Sequence, residues 1–297
     1  MAQTFDRALS RLNNIQAIEP LLSALNTLSM GTWQMALNKL GRMQQYEEQY
    51  DQILVEILPE IHDRTLRKRG RKKKAIEIAD TIILIVGTER GLCGKFNQSL
   101  AENAIEWIGT QNFPSHQVWA MGSRMILELE REGVHISWRT TLPASELPSY
   151  QRSYLTTQNW LEQYEDYAFN QFIILFNQTS KGRRYQFSTF KLLPYEMQHP
   201  HSVTNQATKH WPPPIIETGP KGIYQKVIEH YIAASFYQTL LKSAVAEHSS
   251  RHNMMQEAED NAEEIIAEVQ AVINQERKRK ITQEMQELAS GSGLLDN

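Results

Sequence analysis

Thr81-Ile-Ile-Leu-Ile-Val-Gly87 is the stretch on which the fold turns, and Thr88-Glu-Arg-Gly-Leu-Cys-Gly-Lys95 follows it directly. A β-branched and aliphatic run without polar alternation suits a strand covered on both faces, as in a parallel sheet. Outward from it, strand-like VWAM (118–121), VHISW (134–138) and FIILF (172–176) alternate with helical stretches near 95–109, 122–132 and 151–167. A further strand, YQFSTFKLL (185–193), ends at Pro194. Strands and helices in alternation predict a doubly wound, Rossmann-like α/β layer. The segment from His199 to Pro220, with HPH, WPPP and TGP, reads as a linker.

The glycines after the first strand invite a nucleotide reading, which their spacing rejects. A phosphate loop needs Gly five residues before the second Gly, then Lys and a hydroxyl residue. Here Glu89 and Phe96 occupy the first and last of those places. The dinucleotide pattern fails as well, because three residues separate Gly87 from Gly91. A tight strand-to-helix turn remains. Cys93 has no His or Asp placed beside it by any motif, so a packed thiol is expected. His199, His201 and His210 lack the paired ligands of a closed zinc site. No catalytic, cofactor-binding or metal-binding residue is expected.

Both ends of the chain follow a helical period. Near the start the apolar series is Leu9, Leu12, Ile15, Ile18, Leu22, Leu25 and Leu28, continuing through Met35, Leu40, Met43, Tyr50, Leu54 and Ile57. Pro20 lies inside it and predicts a kink or a restart, since proline removes a hydrogen bond and clashes with the preceding turn. Near the end, Leu241, Ala244, His248, Arg251, Met255, Ala258, Ala262, Ile265, Val269 and Val272 step by three and four. That repeat suits a supercoiled seam. Two long terminal helices pair most economically with each other, antiparallel; a homodimeric coiled coil is the alternative. The expected division is 1–74 for the first helix and a basic linker, 75–210 for the α/β domain and 211–297 for the last helix.

Composition narrows the class. The 297 residues hold 31 Lys and Arg against 34 Asp and Glu, and 41% are hydrophobic, so neither a disordered nor a strongly basic chain is indicated. No long apolar run suggests a membrane span, and no secretory signal is visible at the start. Local charge is less even. Arg64 to Lys74 holds eight basic residues in eleven, read as a solvated linker or, alternatively, a phosphate-binding patch. Residues 246–270 carry seven acidic side chains and one Arg, and Arg277-Lys-Arg-Lys280 follows, a polarity that suits docking.

The C-terminal run carries a family resemblance. Ala246-Glu-His-Ser-Ser-Arg251, Asp260-Asn-Ala262, Asn274-Gln-Glu-Arg277, Ile281-Thr-Gln-Glu284 and Ser290-Gly291 resemble the gamma subunit of F-type rotary ATP synthases. The turn Arg90, Gly91, Cys93 and Gly94, with Asn97 beyond it, is similar to that family's motif after the first strand of its middle domain, as are Phe176-Asn177 and Leu192-Leu-Pro194. The resemblance implies a central shaft inside a ring of alpha and beta subunits, with its foot on epsilon and the membrane c-ring. ATP chemistry, with Mg²⁺, would belong to beta. Arg277, Lys278 and Thr282 would lie near the beta contacts, and Ile281, Met285 and Leu288 on the tip within the ring's apolar sleeve. It implies a peripheral place at the cytoplasmic face of a bacterial inner, or a thylakoid, membrane, with no nucleic acid as partner. The first helix departs from the family: Ser23–Thr32 replaces a Lys-rich motif, and Glu19 is the only charge from Leu12 to Asn38. Lys278 and Lys95 depart too, and the basic run is foreign. A gamma-derived regulatory or assembly protein and a nucleic-acid-binding coiled coil are the other readings.

Overall fold

The computed structural model describes residues 2–61, 79–144, 146–180, 183–195 and 219–291. The basic run 64–74 and His199, His201 and His210 lie outside the described residues. In chain order the elements are α1 (Ala2–Ile61), β1 (Thr81–Val86), α2 (Phe96–Thr110), β2 (His116–Met121), α3 (Ser123–Arg131), β3 (Ile136–Thr140), α4 (Tyr150–Glu165), β4 (Gln171–Ser180), β5 (Arg183–Leu193) and α5 (Pro220–Gly291). The mixed fold read from the strand spacing is the one observed: a five-stranded sheet between helices, with long helices at both ends.

The sheet runs β3-β2-β1-β4-β5. β1 pairs in parallel with β2 and β4, β2 in parallel with β3, and β5 returns antiparallel to β4. β1 is central and wholly buried, which explains its unbroken apolar run. Because side chains alternate across a strand, Ile83 and Ile85 face α2 and α3 with Leu100, Ala104, Met125 and Leu129. Leu84 and Val86 face the other way, onto Trp160 of α4 and Ile232, Phe236 and Leu240 of α5. Trp160 sits at the middle of that second face, its ring centroid 4.6 Å from Phe172 and 4.9 Å from Phe236.

Residues up to Met30 together with those from Arg251 form one compact unit, and Gly31–Ser250 form the other. Within the larger unit a tyrosine cluster joins the helices. The Tyr50 ring meets Tyr231 at 6.4 Å, Tyr150 meets Tyr237 at 5.7 Å, and Tyr154 stacks on His230 at 4.9 Å. Burial, with neighbouring phenols, pushes the Tyr150 hydroxyl up to about 12, so it is a neutral hydrogen-bonding group at any ordinary pH.

The smaller unit is an antiparallel helix pair. Its buried and half-buried positions include Phe5, Ala8, Leu12, Ile15, Glu19, Leu22, Asn26 and Ser29 on α1, and Arg251, Met255, Ala258, Ala262, Ile265, Val269, Ile273 and Glu276 on α5. Asn26 donates to Gln256 (3.2 Å) and Glu259 (2.8 Å) and its Oδ1 meets His252 Nδ1. At the other end Arg7, Ala8 and Arg11 share a cleft with Glu268, Val269 and Val272. Residue numbers rising on one helix and falling on the other fix the antiparallel sense.

Three sequence expectations change here. α1 continues through Pro20 without a restart; the proline is on the exposed side, away from the seam. Ile18 and Leu28 are 52% and 67% exposed, outside the seam. Each step of three residues turns the stripe back by ~60° at ~100° per residue, so a run of such steps leaves a narrow two-helix seam. On α5, Ile273 (4% exposed) takes the place expected for Val272 (47%). Replacing Trp160→Ala is expected to cost ~3–5 kcal/mol, the range for emptying a buried aromatic site. Urea denaturation followed by circular dichroism measures it.

Candidate functional site: a filled sheet crevice and an exposed helix tip

In a doubly wound sheet the ligand crevice lies beyond the carboxyl ends of the strands where the order reverses. Here that point lies between β1 and β4. It is filled by the turn 87–95. Thr88 N–H donates to Asn97 Oδ1 (3.0 Å), and Asn97 Nδ2 donates back to Thr88 Oγ1 (2.8 Å). Thr88 Oγ1 donates to Arg90 O (2.7 Å), closing the loop on itself. Asn177, which follows the apolar run Phe172–Phe176 within β4, donates to Phe96 O at 3.1 Å. The Thr88 N–H and the Arg90 and Phe96 carbonyls of the turn are therefore taken up internally.

α5 closes what remains. Ser250 Oγ donates to Cys93 O at 3.1 Å, and Cys93, Phe96 and Ala246 pack as a small buried cluster with Tyr185. Cys93 is 2% exposed. Gly94 has φ 61°, a region that glycine enters without steric cost, and Gly91 lies beside Arg124. A Cβ on Gly87 would sit 2.5 Å from Met125 Cβ and 2.6 Å from Asn97 Oδ1. Arg90 stands on the outside of the turn. The four motif residues thus form a structural joint: Cys93 buried, Gly94 where φ favours glycine, Gly91 beside Arg124, and Arg90 at the surface.

Glu89 is the residue that sequence reasoning missed. Its carboxylate accepts from Ser123 N (3.0 Å), Ser123 Oγ (2.5 Å) and Leu142 N (2.9 Å), capping α3 from outside that helix. Its partners lie 34 and 53 residues away, and no local pattern announces them. Burial opposes its ionisation, but the Ser123 and Leu142 hydrogen bonds outweigh it and hold the carboxyl below its ordinary 4.5.

The second place is the end of α5. From Arg277 to Leu288 every residue is exposed. Ile281 (57% exposed), Met285 (66%) and Leu288 (73%) step by four and three along one face. Thr282 Oγ1 donates to Lys278 O (2.9 Å), and Lys280 approaches Glu284 at 4.0 Å. Six residues named from the resemblance, Arg277, Lys278, Ile281, Thr282, Met285 and Leu288, lie on this one exposed helical segment.

A family model described as ATP synthase matches residues 6–295. The chain belongs to the ATP synthase family. It is similar to the ATP synthase gamma chain of Fusobacterium nucleatum subsp. nucleatum, 22% identical over 287 residues that cover 96% of this chain and 97% of the relative. The gamma chain of Levilactobacillus brevis is 22% identical over 304 residues, covering both chains completely. In fold it resembles a chain in the cryo-EM structure of the Euglena gracilis mitochondrial ATP synthase rotor, with a TM-score of 0.58 and 11% identity over 95% of this chain and 100% of that one. It is a gamma-type, non-catalytic member of the family. Among the described residues no group of three His, Cys, Asp or Glu side chains could hold a metal ion. Nor is any described helix long and apolar enough to cross a membrane.

Because the folded-state carboxyl of Glu89 is depressed, its contribution is complete above the ordinary value of 4.5 and is lost as pH falls through the lower folded value. Glu89→Gln should lower stability at pH 7 and flatten the acid limb below pH ~4.5. Urea midpoints measured from pH 7 to 3 check this; a variant whose midpoint shifts equally at every pH contradicts it.

Proposed function

We propose that the chain works as the central shaft of an F-type ATP synthase or ATPase, turning inside the alpha and beta ring and passing torque between ion flow and nucleotide chemistry on beta. The observation that carries this reading is the match to the ATP synthase family over residues 6–295. The exposed tip supports it. Torque must be transmitted through a stiff element, and the antiparallel pair provides one that resists bending better than a single helix. Rotation can drive release at a beta site only if the shaft's orientation changes the relative stability of that site's conformations. That requires a surface that differs from side to side.

In this reading residues 1–74 and 211–297 supply the shaft and 75–210 the domain at its foot. Ile281, Met285 and Leu288 turn against an apolar sleeve, where a smooth aliphatic surface offers no directional bond to hold one angle. Arg277, Lys278 and Thr282 meet the beta subunits, where charge-assisted contacts give angle dependence. The foot meets epsilon and the c-ring, and the chain is peripheral at the cytoplasmic face of a bacterial inner, or a thylakoid, membrane. The joint of Arg90, Gly91, Cys93 and Gly94 holds α5 to the sheet domain.

Reconstitution with alpha and beta subunits tests the assignment through complex size and ATP hydrolysis. Stimulated hydrolysis supports a working shaft; a complex that forms and stays silent favours a regulatory or assembly role. In the full membrane complex, ending the chain after Glu276 should reduce ATP-driven ion pumping ~10-fold or more, the scale of a coupling free energy of ~1–3 kcal/mol. Pumping at the full-length level would remove the tip from the mechanism.

A further inference from the structure

α5 runs unbroken from Pro220 to Gly291, and Ser250 is its last residue in the larger unit. Ser250 is 1% exposed, and its Oγ donates to Cys93 O at 3.1 Å. A twist applied to the far part of a helix first meets the anchored residue nearest that end. Ser250 holds that place.

The bonds behind Cys93 suit the turn to take a load. Residues 87–95 follow β1 directly. The reciprocal bonds of Thr88 and Asn97 tie the turn to α2. Asn177 of β4 donates to Phe96 O, where the turn enters α2. Glu89 accepts from Ser123 N of α3 and from Leu142 N beyond β3. Force delivered at Cys93 O is thus shared among β1, β4, α2 and α3.

Other contacts of α5 do a different job. Ile232, Phe236 and Leu240 hold it by burial, which is non-directional. Ala246, packed with Cys93 and Phe96, has no side-chain atom beyond Cβ to resist a slip. A hydrogen bond weakens steeply when misaligned, so it sets the rotation of a helix about its own axis more sharply than burial does.

We propose that Ser250 is a positioning residue for torque: its bond to Cys93 O fixes the rotation of α5 against the sheet domain at the last residue that belongs to that domain. The proposal rests on the shaft reading and names the residue through which the load passes.

The test uses the full membrane complex, with ATP hydrolysis and ATP-driven ion pumping measured together against an opposing gradient. Ser250→Ala should lower the ions pumped per ATP ~2- to 10-fold, the factor carried by one neutral hydrogen bond, and leave hydrolysis unchanged. Ser250→Thr keeps the hydroxyl and should restore most of the pumping. Thr239→Val is the control. Thr239 is also buried in α5, but its Oγ1 donates to Ser235 O of the same helix (2.8 Å). That variant should lose stability, read from the urea midpoint of the isolated chain, and pump normally. Three results overturn the proposal while leaving the shaft reading intact: wild-type pumping by Ser250→Ala, an equal loss in Thr239→Val, or no rescue by a Ser250→Thr chain whose urea midpoint matches the wild type. A wild-type complex that neither hydrolyses ATP nor pumps overturns the shaft reading and the proposal with it.

Discussion

Burial of Ile232, Phe236 and Leu240 against the aromatic face of the sheet anchors α5, and much else follows from it. A single helix cannot transmit force unless one part of it is embedded. Each of these side chains lies four positions from the next, so they share one helical face. Trp160, Phe172 and Trp119 receive that face as a close set of rings. Further along the same helix, Ala246 and Ser250 are small enough to lie directly over the turn after β1. One helix thus serves as a core element of the sheet domain and as one strand of the antiparallel pair.

That arrangement explains why a fold usually associated with ligand crevices has a filled one. The switch point between β1 and β4 is filled by the chain's own groups: the reciprocal Thr88–Asn97 pair, the Asn177 bond to Phe96 and the Ser250 bond to Cys93. Buried backbone groups must be paired somewhere, and here the pairs tie elements together. Gly87, Gly94 and Cys93 suggest catalysis in sequence, yet each is explained by space, φ or packing.

The helix pair trades stability for specificity. Its seam contains Glu19, Asn26, Ser29, Arg251 and several alanines, which bury less apolar area than a leucine seam. Asn26 answers three side chains of α5 at once. A slip of one heptad would break all three contacts, so this polar node selects the register, as single polar seam residues do in other coiled coils. Apolar residues outside the seam, such as Ile18 and Leu21, are then left exposed.

Much of this was legible from the residues. The aliphatic run of Thr81–Val86, the alternation around it and the unbroken helical period after Ile223 determine a parallel-type sheet and two long terminal helices, because burial pattern and backbone period are local properties. That Arg277 to Leu288 belong to one helix was legible too. Other features depended on contacts between distant parts of the chain. Pro20 is accommodated because it falls on the outer side of α1, and only the pairing of α1 with α5 decides which side is outer. Ile18 and Leu28 fit the helical period but lie outside the seam, because the seam is defined by the partner's register rather than by hydrophobicity along one helix. Glu89 caps a helix 34 residues away. Sequence alone determined which elements form; the tertiary structure decided which face of each is covered, because covering a face takes residues from elsewhere in the chain.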